Sequence, residues 1–581
     1  MFRMTLIEAL EIMKQAPAEV PSLRVYLACG FTPLHLETFL TAHLHKLRPT
    51  RRAEVTTGLF GDLAGNLERL DSERYNAVAV TIEWADLDPR LGVRTLGGWK
   101  LEKLSDILEC SARSLERLAH ALQRIALPAT ISLPTLPLPP LFCTGTTRSS
   151  AEELVLKRQI ATFAENISRE RRIVVISQQK LDERSPVARR FDLKTEIMQG
   201  FPYKTAHASV IGELMAELVV RAQPKKGLIT DLDDTLWAGI LGEQGVDGVQ
   251  WHLEEHAQLH GLYQQFLASL ASAGTLIAVA SKNDPDLAAK AFEREDLLLP
   301  KESVYPVEAN WNRKSESIQQ ILRKWNILPD SVVFVDDSPM ELAEVQSAFP
   351  DMECILFPKS DYGAFWAMLE HLRDRFGKAF VTEEDFFRLQ SIRSSAPIER
   401  PLNTEQVSMD EFLRSAEGQL AFIHHVPADD ARAFELVNKT NQFNLNGIRY
   451  DESAWSKLIR DPNVRVITVS YEDKFGKLGR IAVMLGRIDG KTMILESWVM
   501  SCRAFSRRIE FHCLEYLFER WGFEQIVFQV VKTDRNGPLV EFLQELTEDT
   551  LQQPVSLSRE AFFSRAPERP HHTTEDSYAN G

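Results

Sequence analysis

The sequence predicts a multidomain α/β protein. Its 581 residues are enough for about three domains of ordinary size. Apolar strand runs alternate with helical patterns as far as residue 381, and beyond residue 382 paired strands lead into a further helix. Hydrophobic residues make up 44% of the chain and charged residues 26%, ordinary values for a globular protein.

Composition also excludes several classes. A net charge of −15 disfavours general nucleic-acid binding. No apolar run is long enough to span a bilayer, and Met1-Phe2-Arg3-Met4 leads into a mixed segment with Glu8 and Glu11 rather than a signal peptide. The six cysteines, Cys29, Cys110, Cys143, Cys354, Cys502 and Cys513, are scattered without a Cys-x-x-Cys pair. That pattern fits reduced thiols in a cytoplasmic protein, not a disulfide framework or a zinc site.

The first region, 1–222, reads as α/β. Strands are expected at 23–28, 76–82 and 172–176, with a helix over 32–45. The proline-rich stretch 133–140 forbids a regular helix or central strand and is expected to be a loop leaving a sheet. The region is weakly similar to SGNH-type hydrolase domains, which carry an early Gly-Asp-Ser and a late Asp-x-x-His. Here the early turn is Ala28-Cys29-Gly30-Phe31-Thr32, and the late candidate is Lys204-Thr205-Ala206-His207. Without a Ser-His-Asp relay an acyl hydrolase is not expected. A scaffold or docking domain is preferred over a remnant in which Thr32 or Cys29 works with His207.

The second region, 223–381, carries the chemistry. The apolar run 227–230 ends in Asp231-Leu232-Asp233-Asp234-Thr235. Two carboxylates two residues apart at a strand end can share the work of phosphoryl transfer, one attacking phosphorus and the other moving a proton at the leaving oxygen. A second run, 275–280, ends in Ser281-Lys282-Asn283-Asp284, where a hydroxyl and backbone N–H groups can hold a phosphoryl oxygen. Lys314 opens a helical pattern through Ile318, Ile321 and Leu322, and its ammonium can neutralise both phosphate and attacking carboxylate. A third run, 331–335, leads into Asp336-Asp337-Ser338-Pro339. With Asp231 and a backbone carbonyl near Asp233, Asp336 and Asp337 offer the hard oxygen ligands that Mg²⁺ prefers. A lone acidic pair is more often an N-cap or a solvated turn; four elements in this order outweigh that reading.

This order resembles the haloacid dehalogenase (HAD) superfamily, which implies a central doubly wound parallel sheet with the site at its strand ends. The resemblance makes Asp231 the nucleophile, Asp233 the general acid/base, and Ser281 and Lys314 phosphate binders, with Thr235 and Asn283 beside the substrate. Asp336 then ligates Mg²⁺ and Asp337 supports it. The short intervals between these motifs leave no room for an inserted lid domain. A helix is expected over 252–273 and a small hairpin flap over 237–245, so the site suits a macromolecular or tethered substrate.

The third region, 382–565, contains the amide cluster Asn438-Lys439-Thr440-Asn441-Gln442-Phe443-Asn444. Such amides are costly to bury unless they satisfy each other or face a ligand; Asn441, Gln442 and Asn444 are the candidates. Strands at 465–471 and 479–485 pair across a turn, and 493–500 ends at Ser501-Cys502-Arg503 before a helix. The strand, basic turn and helix resemble the pyrophosphate-binding turn of the GNAT acyltransferase fold, so an α+β domain is implied. Arg503 and Arg507 are kept for a phosphate or acidic partner, whereas Ser506 and Arg508 replace the two glycines of that turn. The residues from 566 onward are expected to be a disordered tail.

Taken together, Asp-Leu-Asp-Asp-Thr-Leu-Trp, Ala-Ser-Lys-Asn-Asp-Pro, Val-Asp-Asp-Ser-Pro, Lys-Thr-Asn-Gln-Phe-Asn and Ser-Cys-Arg resemble the FkbH-like proteins. That resemblance implies transfer of glyceryl from 1,3-bisphosphoglycerate, a phosphorylated three-carbon metabolite, to the phosphopantetheine arm of an acyl carrier protein in polyketide-type biosynthesis. Cys502 is then the candidate for a transient thioester, with Arg503 and Arg507 stabilising its thiolate; a small core residue is the equal alternative. Two other functions stay open: a phosphatase for a phosphoprotein or another metabolite, and a module that docks biosynthetic partners.

Overall fold

The computed structural model describes residues 4–15, 20–140, 145, 147–221, 223–378, 381, 385, 392, 413–424, 430–440, 442–474, 476–501, 504, 507–533, 535–547 and 555–577. It is a mixed α/β protein that separates into two compact units, Met1–Gln223 with Asp451–Ala454, and Pro224–Tyr450 with Trp455–Gly581. Among the described residues no helix is long and apolar enough to cross a membrane.

The first unit is built on a five-stranded parallel sheet of β1 (Ser22–Cys29), β2 (Arg52–Thr57), β3 (Ala77–Thr81), β4 (Ala129–Ser132) and β5 (Ile173–Val175), in the order β2-β1-β3-β4-β5. All five residues of β3, Ala77-Val78-Ala79-Val80-Thr81, are buried, as expected for a central strand covered on both faces. The expected helix runs Leu34–Leu47, and residues 133–140 contain neither helix nor strand.

The second unit holds two sheets. The first is again parallel, with β6 (Gly227–Thr230), β7 (Leu276–Ser281), β8 (Val304–Ala309), β9 (Val332–Asp336) and β10 (Glu353–Leu356) ordered β10-β9-β6-β7-β8. Every residue of β6, β7 and β9 is buried. The helix expected from 252 begins at Gln258 and runs to Ser272. The flap is not a hairpin within 237–245; a single bridge joins Ala238 to Gln250 and encloses the helical turn Leu241–Gln244.

The other sheet is mixed. Its main path is β17 (Val555–Ser558), β16 (Gln525–Phe528), β15 (Thr492–Met500), β14 (Gly476–Asp489), β13 (Val464–Asp473), β11 (Gln419–His424) and β18 (His572–Ser577), while β12 (Phe443–Asn444) pairs with β15. The helix Ile509–Arg520 follows β15 and buries Cys513 in the core. The expectation of a disordered tail from 566 is corrected: His572–Ser577 pairs in parallel with Gln419–His424.

Candidate active site

The register of β9-β6-β7 sets Thr230 level with Val335 and Val279, so the carboxyl ends of the three strands lie side by side. Asp231 follows β6, Ser281 closes β7 and Asp336 closes β9; all three are buried. Lys314 is the first residue of the helix Lys314–Trp325, which follows β8, and is only 2% exposed. Its Nζ lies 2.7 Å from Asp231 Oδ1, 3.0 Å from Asp336 Oδ2 and 3.1 Å from Glu341 Oε2, and donates to the Ala280 carbonyl at 2.8 Å. The Ser281 hydroxyl donates to Asp231, and the Ser338 N–H donates to Asp336 Oδ1 at 2.8 Å.

Asp233 is held beside this group. Its Oδ1 accepts from Trp237 Nε1 at 3.0 Å and from the Leu241 N–H at 3.1 Å, and its Oδ2 accepts from Asn283 Nδ2 at 2.9 Å. Asn283 also donates to Ser281 Oγ at 3.2 Å, so it ties the first motif to the second. Thr235 is buried, and its carbonyl lies 2.9 Å from His260 Nδ1. Gly239 has φ +100, a backbone conformation that favours glycine; its N–H donates to Asp234 Oδ1 at 2.9 Å, closing the loop.

Burial pushes the Asp231 and Asp336 carboxyls up, and Lys314 opposes that shift. Burial alone would lower Lys314, but Asp231, Asp336 and Glu341 outweigh it and hold the ammonium above the usual lysine range. Asp231, Asp336 and Glu341 place carboxylate oxygens within 4.8 Å of one another. Lys314 and Lys282 (2.8 Å from Glu341) set two positive charges against these three negative ones. An all-oxygen donor set with residual negative charge fits a hard divalent cation.

Asp337 is not in that group of acids. Its Oδ2 lies 2.8 Å from Lys359 Nζ, which is also 2.8 Å from Asp234 Oδ2. The Asp233 carboxylate is likewise engaged by Trp237, Leu241 and Asn283, which leaves its backbone carbonyl as the atom available to a cation. Sequence reasoning missed Glu341, Lys282 and Lys359. Glu341 stands three residues after Ser338, a spacing that reads as a capping box. Its carboxylate turns to the lysines instead, while its N–H bonds Ser338 Oγ at 3.4 Å. Lys359 follows β10 with no motif to mark it.

Of the remaining candidates, the described ones do not join this site. Asn441, Cys502 and Arg503 lie outside the described residues. Asn444 spends its amide on the backbone: Oδ1 accepts from Asn446 and Gly447, and Nδ2 donates to the Thr440 carbonyl. Arg507, expected to meet a phosphate, is 1% exposed and sits 3.5 Å from Asp473 under the Tyr471 ring. In the first unit Cys29 donates to the Phe31 carbonyl, and burial pushes its thiol up to about 12, so it is no nucleophile at neutral pH. His207 is fully buried, with Thr135 Oγ1 at its Nε2 (3.0 Å) and Ser185 Oγ at its Nδ1 (2.9 Å).

No family model matches the chain, and no curated protein matches it in sequence. Among solved structures it is similar to the N-terminal part of a Bacteroides fragilis protein that contains a phosphatase domain, solved in complex with Mg. The TM-score is 0.51 at 19% identity, covering 65% of this chain and 100% of that one. At that identity the likeness is one of fold. A second match, to a Listeria monocytogenes protein described as a UDP-N-acetylglucosamine 2-epimerase, covers 67% of this chain at 13% identity. Its TM-score of 0.14 relates no architecture.

Proposed function

We propose that the chain is a Mg²⁺-dependent HAD-type phosphoryl-transfer enzyme. One observation carries this reading: Asp231, Ser281, Lys314 and Asp336 converge at the carboxyl ends of three parallel strands. In this reading Asp231 attacks phosphorus, and a new P–O bond forms as the bond to the leaving oxygen breaks. Asp233 gives that oxygen its proton and later takes one from the water that hydrolyses the aspartyl-phosphate. Lys314 and Ser281 offset charge on Asp231 and the phosphoryl group. Asp231, Asp336 and the Asp233 carbonyl are the groups that would hold Mg²⁺, with Glu341 beside them. A bound Mg²⁺ supplies positive charge to the phosphoryl oxygens. The neighbour solved with Mg supports the choice of metal.

The finer reading is transfer of glyceryl from 1,3-bisphosphoglycerate to the phosphopantetheine thiol of an acyl carrier protein. In it the 3-phosphate ester is cut at Asp231. A thiol then attacks the acyl carbon, forming C–S as the 1-phosphate leaves. The motif set resembling FkbH-like proteins supports this, as does a flap of one bridge and one helical turn, which leaves access for a tethered arm. Given 1,3-bisphosphoglycerate, Mg²⁺ and a holo carrier protein, the chain is expected to release phosphate and add a glyceryl mass to the carrier. Asp231→Asn is expected to abolish phosphate release, and retained release would remove Asp231 as nucleophile. The same open flap favours a second reading, a phosphatase for a phosphoprotein or another metabolite. Phosphate release without carrier acylation selects it.

A further inference from the structure

Lys359 belongs to none of the motifs that mark the phosphoryl site, yet it joins two of the loops that form it. Its Nζ is 2.8 Å from Asp234 Oδ2 and 2.8 Å from Asp337 Oδ2. Asp234 follows Asp233, whose backbone carbonyl would hold Mg²⁺, and Asp337 follows Asp336, whose carboxylate would do the same. One ammonium therefore ties the loop after β6 to the loop after β9, each time one residue away from a group that faces the cation.

An isolated surface ion pair contributes little, because two flexible side chains must be held in one geometry. The Lys359 side chain is 45% exposed, but both ends of this bridge are fixed. At the lysine end, the Phe357 N–H donates to the Asp336 carbonyl at 2.9 Å, and the Lys359 N–H donates back to the Phe357 carbonyl at 3.1 Å. The Phe357 ring is buried, stacked on His260 at 5.1 Å and edge-on to Phe365 at 5.8 Å. At the other end, Asp234 has φ +52, in the left-handed region that aspartate and asparagine tolerate, and its Oδ1 accepts from the Gly239 N–H. Asp337 is only 18% exposed. Burial alone would raise the Asp234 carboxyl, but Lys359 and the Gly239 N–H hold it below the ordinary carboxylate range. Burial would likewise lower Lys359, and the two carboxylates hold its ammonium above the usual lysine range. The bridge is therefore ionised at neutral pH. Two carboxylates on one ammonium leave the trio anionic, a poor receptor for a phosphate group. Without the ammonium they would repel and spread the two loops.

We propose that Lys359 is a positioning residue for the metal: by bracing Asp234 against Asp337 it sets the gap between the Asp233 carbonyl and Asp336 that the cation fills. This role rests on the phosphoryl-transfer reading of the same site and adds to it a partner that touches neither metal nor substrate. Outer partners of this kind orient the ligands and so tune affinity for the ion.

Calorimetric titration of the metal-stripped full chain with Mg²⁺, in the absence of substrate, tests the brace. Lys359→Met is expected to weaken Mg²⁺ binding about ten- to a hundredfold. Lys359→Arg, which keeps the charge and can reach two carboxylates, should retain most of the wild-type affinity. Asp234→Asn keeps the left-handed turn but removes the charge that Lys359 grips. It should also weaken Mg²⁺, and it serves if Lys359→Met fails to fold. Inorganic phosphate added at saturating Mg²⁺ should bind Lys359→Met as it binds the wild type. Three results overturn the proposal: Mg²⁺ affinity unchanged in Lys359→Met and Asp234→Asn, Lys359→Arg as weak as Lys359→Met, or phosphate binding lost while Mg²⁺ affinity is intact, which would make Lys359 a substrate contact. A wild type that binds no Mg²⁺ would remove the metal reading itself, and this role with it, so the wild type alone tells the two failures apart.

Discussion

Lys314 is buried among Asp231, Asp336 and Glu341, within 3.1 Å of each. Removing one partner from such a buried group leaves carboxylates that repel, at a cost of about 3–5 kcal/mol. Lys314→Met is therefore expected to lower the urea midpoint of the chain in EDTA. Mg²⁺ should restore part of the loss, because a cation bound only by the native state stabilises it. Phosphate release should fall about a hundredfold or more. A midpoint indifferent to Mg²⁺ in this variant would argue against these acids as the metal's holders. In the first unit Glu83, together with Asp86, gives a pH signature. Glu83 is 4% exposed and accepts from Thr135 Oγ1 at 2.6 Å, Tyr203 Oη at 2.7 Å and the N–H groups of Thr135 and Leu136 at 3.2 Å. Burial nevertheless pushes its carboxyl up to about 7, from an ordinary 4.5, against the pull of those donors. The native state thus keeps the proton longer than the unfolded chain. The linked stability is fully present below pH 4.5 and is lost as pH rises through 7, about 3 kcal/mol in all. Urea midpoints across that range should fall in the wild type and fall less steeply in Glu83→Gln, where Asp86, whose carboxyl burial also pushes up to about 7, keeps part of the slope; parallel curves would rule the Glu83 linkage out.

At the scale of elements, the helix Gln258–Ser272 does more than cover the parallel sheet. His260, Tyr263 and Gln264 lie at i, i+3 and i+4 on one face. They meet the Thr235 carbonyl at 2.9 Å, Thr230 Oγ1 at 3.3 Å and the Leu236 carbonyl at 2.9 Å, gripping both sides of Asp231 to Asp233. Gln264 also accepts the Leu298 N–H at 3.0 Å. Gln264→Leu would strand the buried Leu236 carbonyl, worth about 1–3 kcal/mol, and free the part-buried Leu298 N–H. We expect a matching loss of stability in urea, with kcat reduced more than KM because the catalytic loop is loosened rather than the substrate contacts. A variant with wild-type kinetics would show that the helix face does not position the loop. The sequence shows that a helix exists here but places its start six residues early, since the turn 252–257 has no proline or glycine to mark it. The central strands were legible because burial on both faces demands unbroken apolar runs. The edge strand β8 was not: Val304-Tyr305-Pro306-Val307-Glu308-Ala309 is half-exposed and carries a proline, tolerated where one side of the strand has no ladder partner.

At the scale of the whole chain, what was legible was local and what was hidden was long-range. Asp231, Asp233, Ser281 and Asp336 each follow or end an apolar run, and Lys314 opens a helical pattern, so neighbouring sequence announces them. Lys359 reaches Asp234 across 125 positions, and His207 meets Thr135 across 72; no spacing rule exposes either pair. The pairing of β18 with β11 is of the same kind, joining the polar segment His572–Ser577 to Gln419–His424. In β11 Leu420, Phe422 and Ile423 are buried while Gln419 is exposed, and β18 covers the edge of this strand. An uncapped edge presents unpaired N–H and C=O groups to any other strand. Truncation after His571 is therefore expected to cost about 2–4 kcal/mol, from lost cross-strand pairs. It should also produce concentration-dependent self-association, read by light scattering on a sizing column. Phosphate release should persist, because Asp231 and Asp336 belong to a different sheet. A truncated chain that stays monomeric at wild-type stability would mean that these terminal residues do not close the mixed sheet. Loss of phosphate release together with aggregation would instead tie the integrity of the mixed sheet to the parallel one.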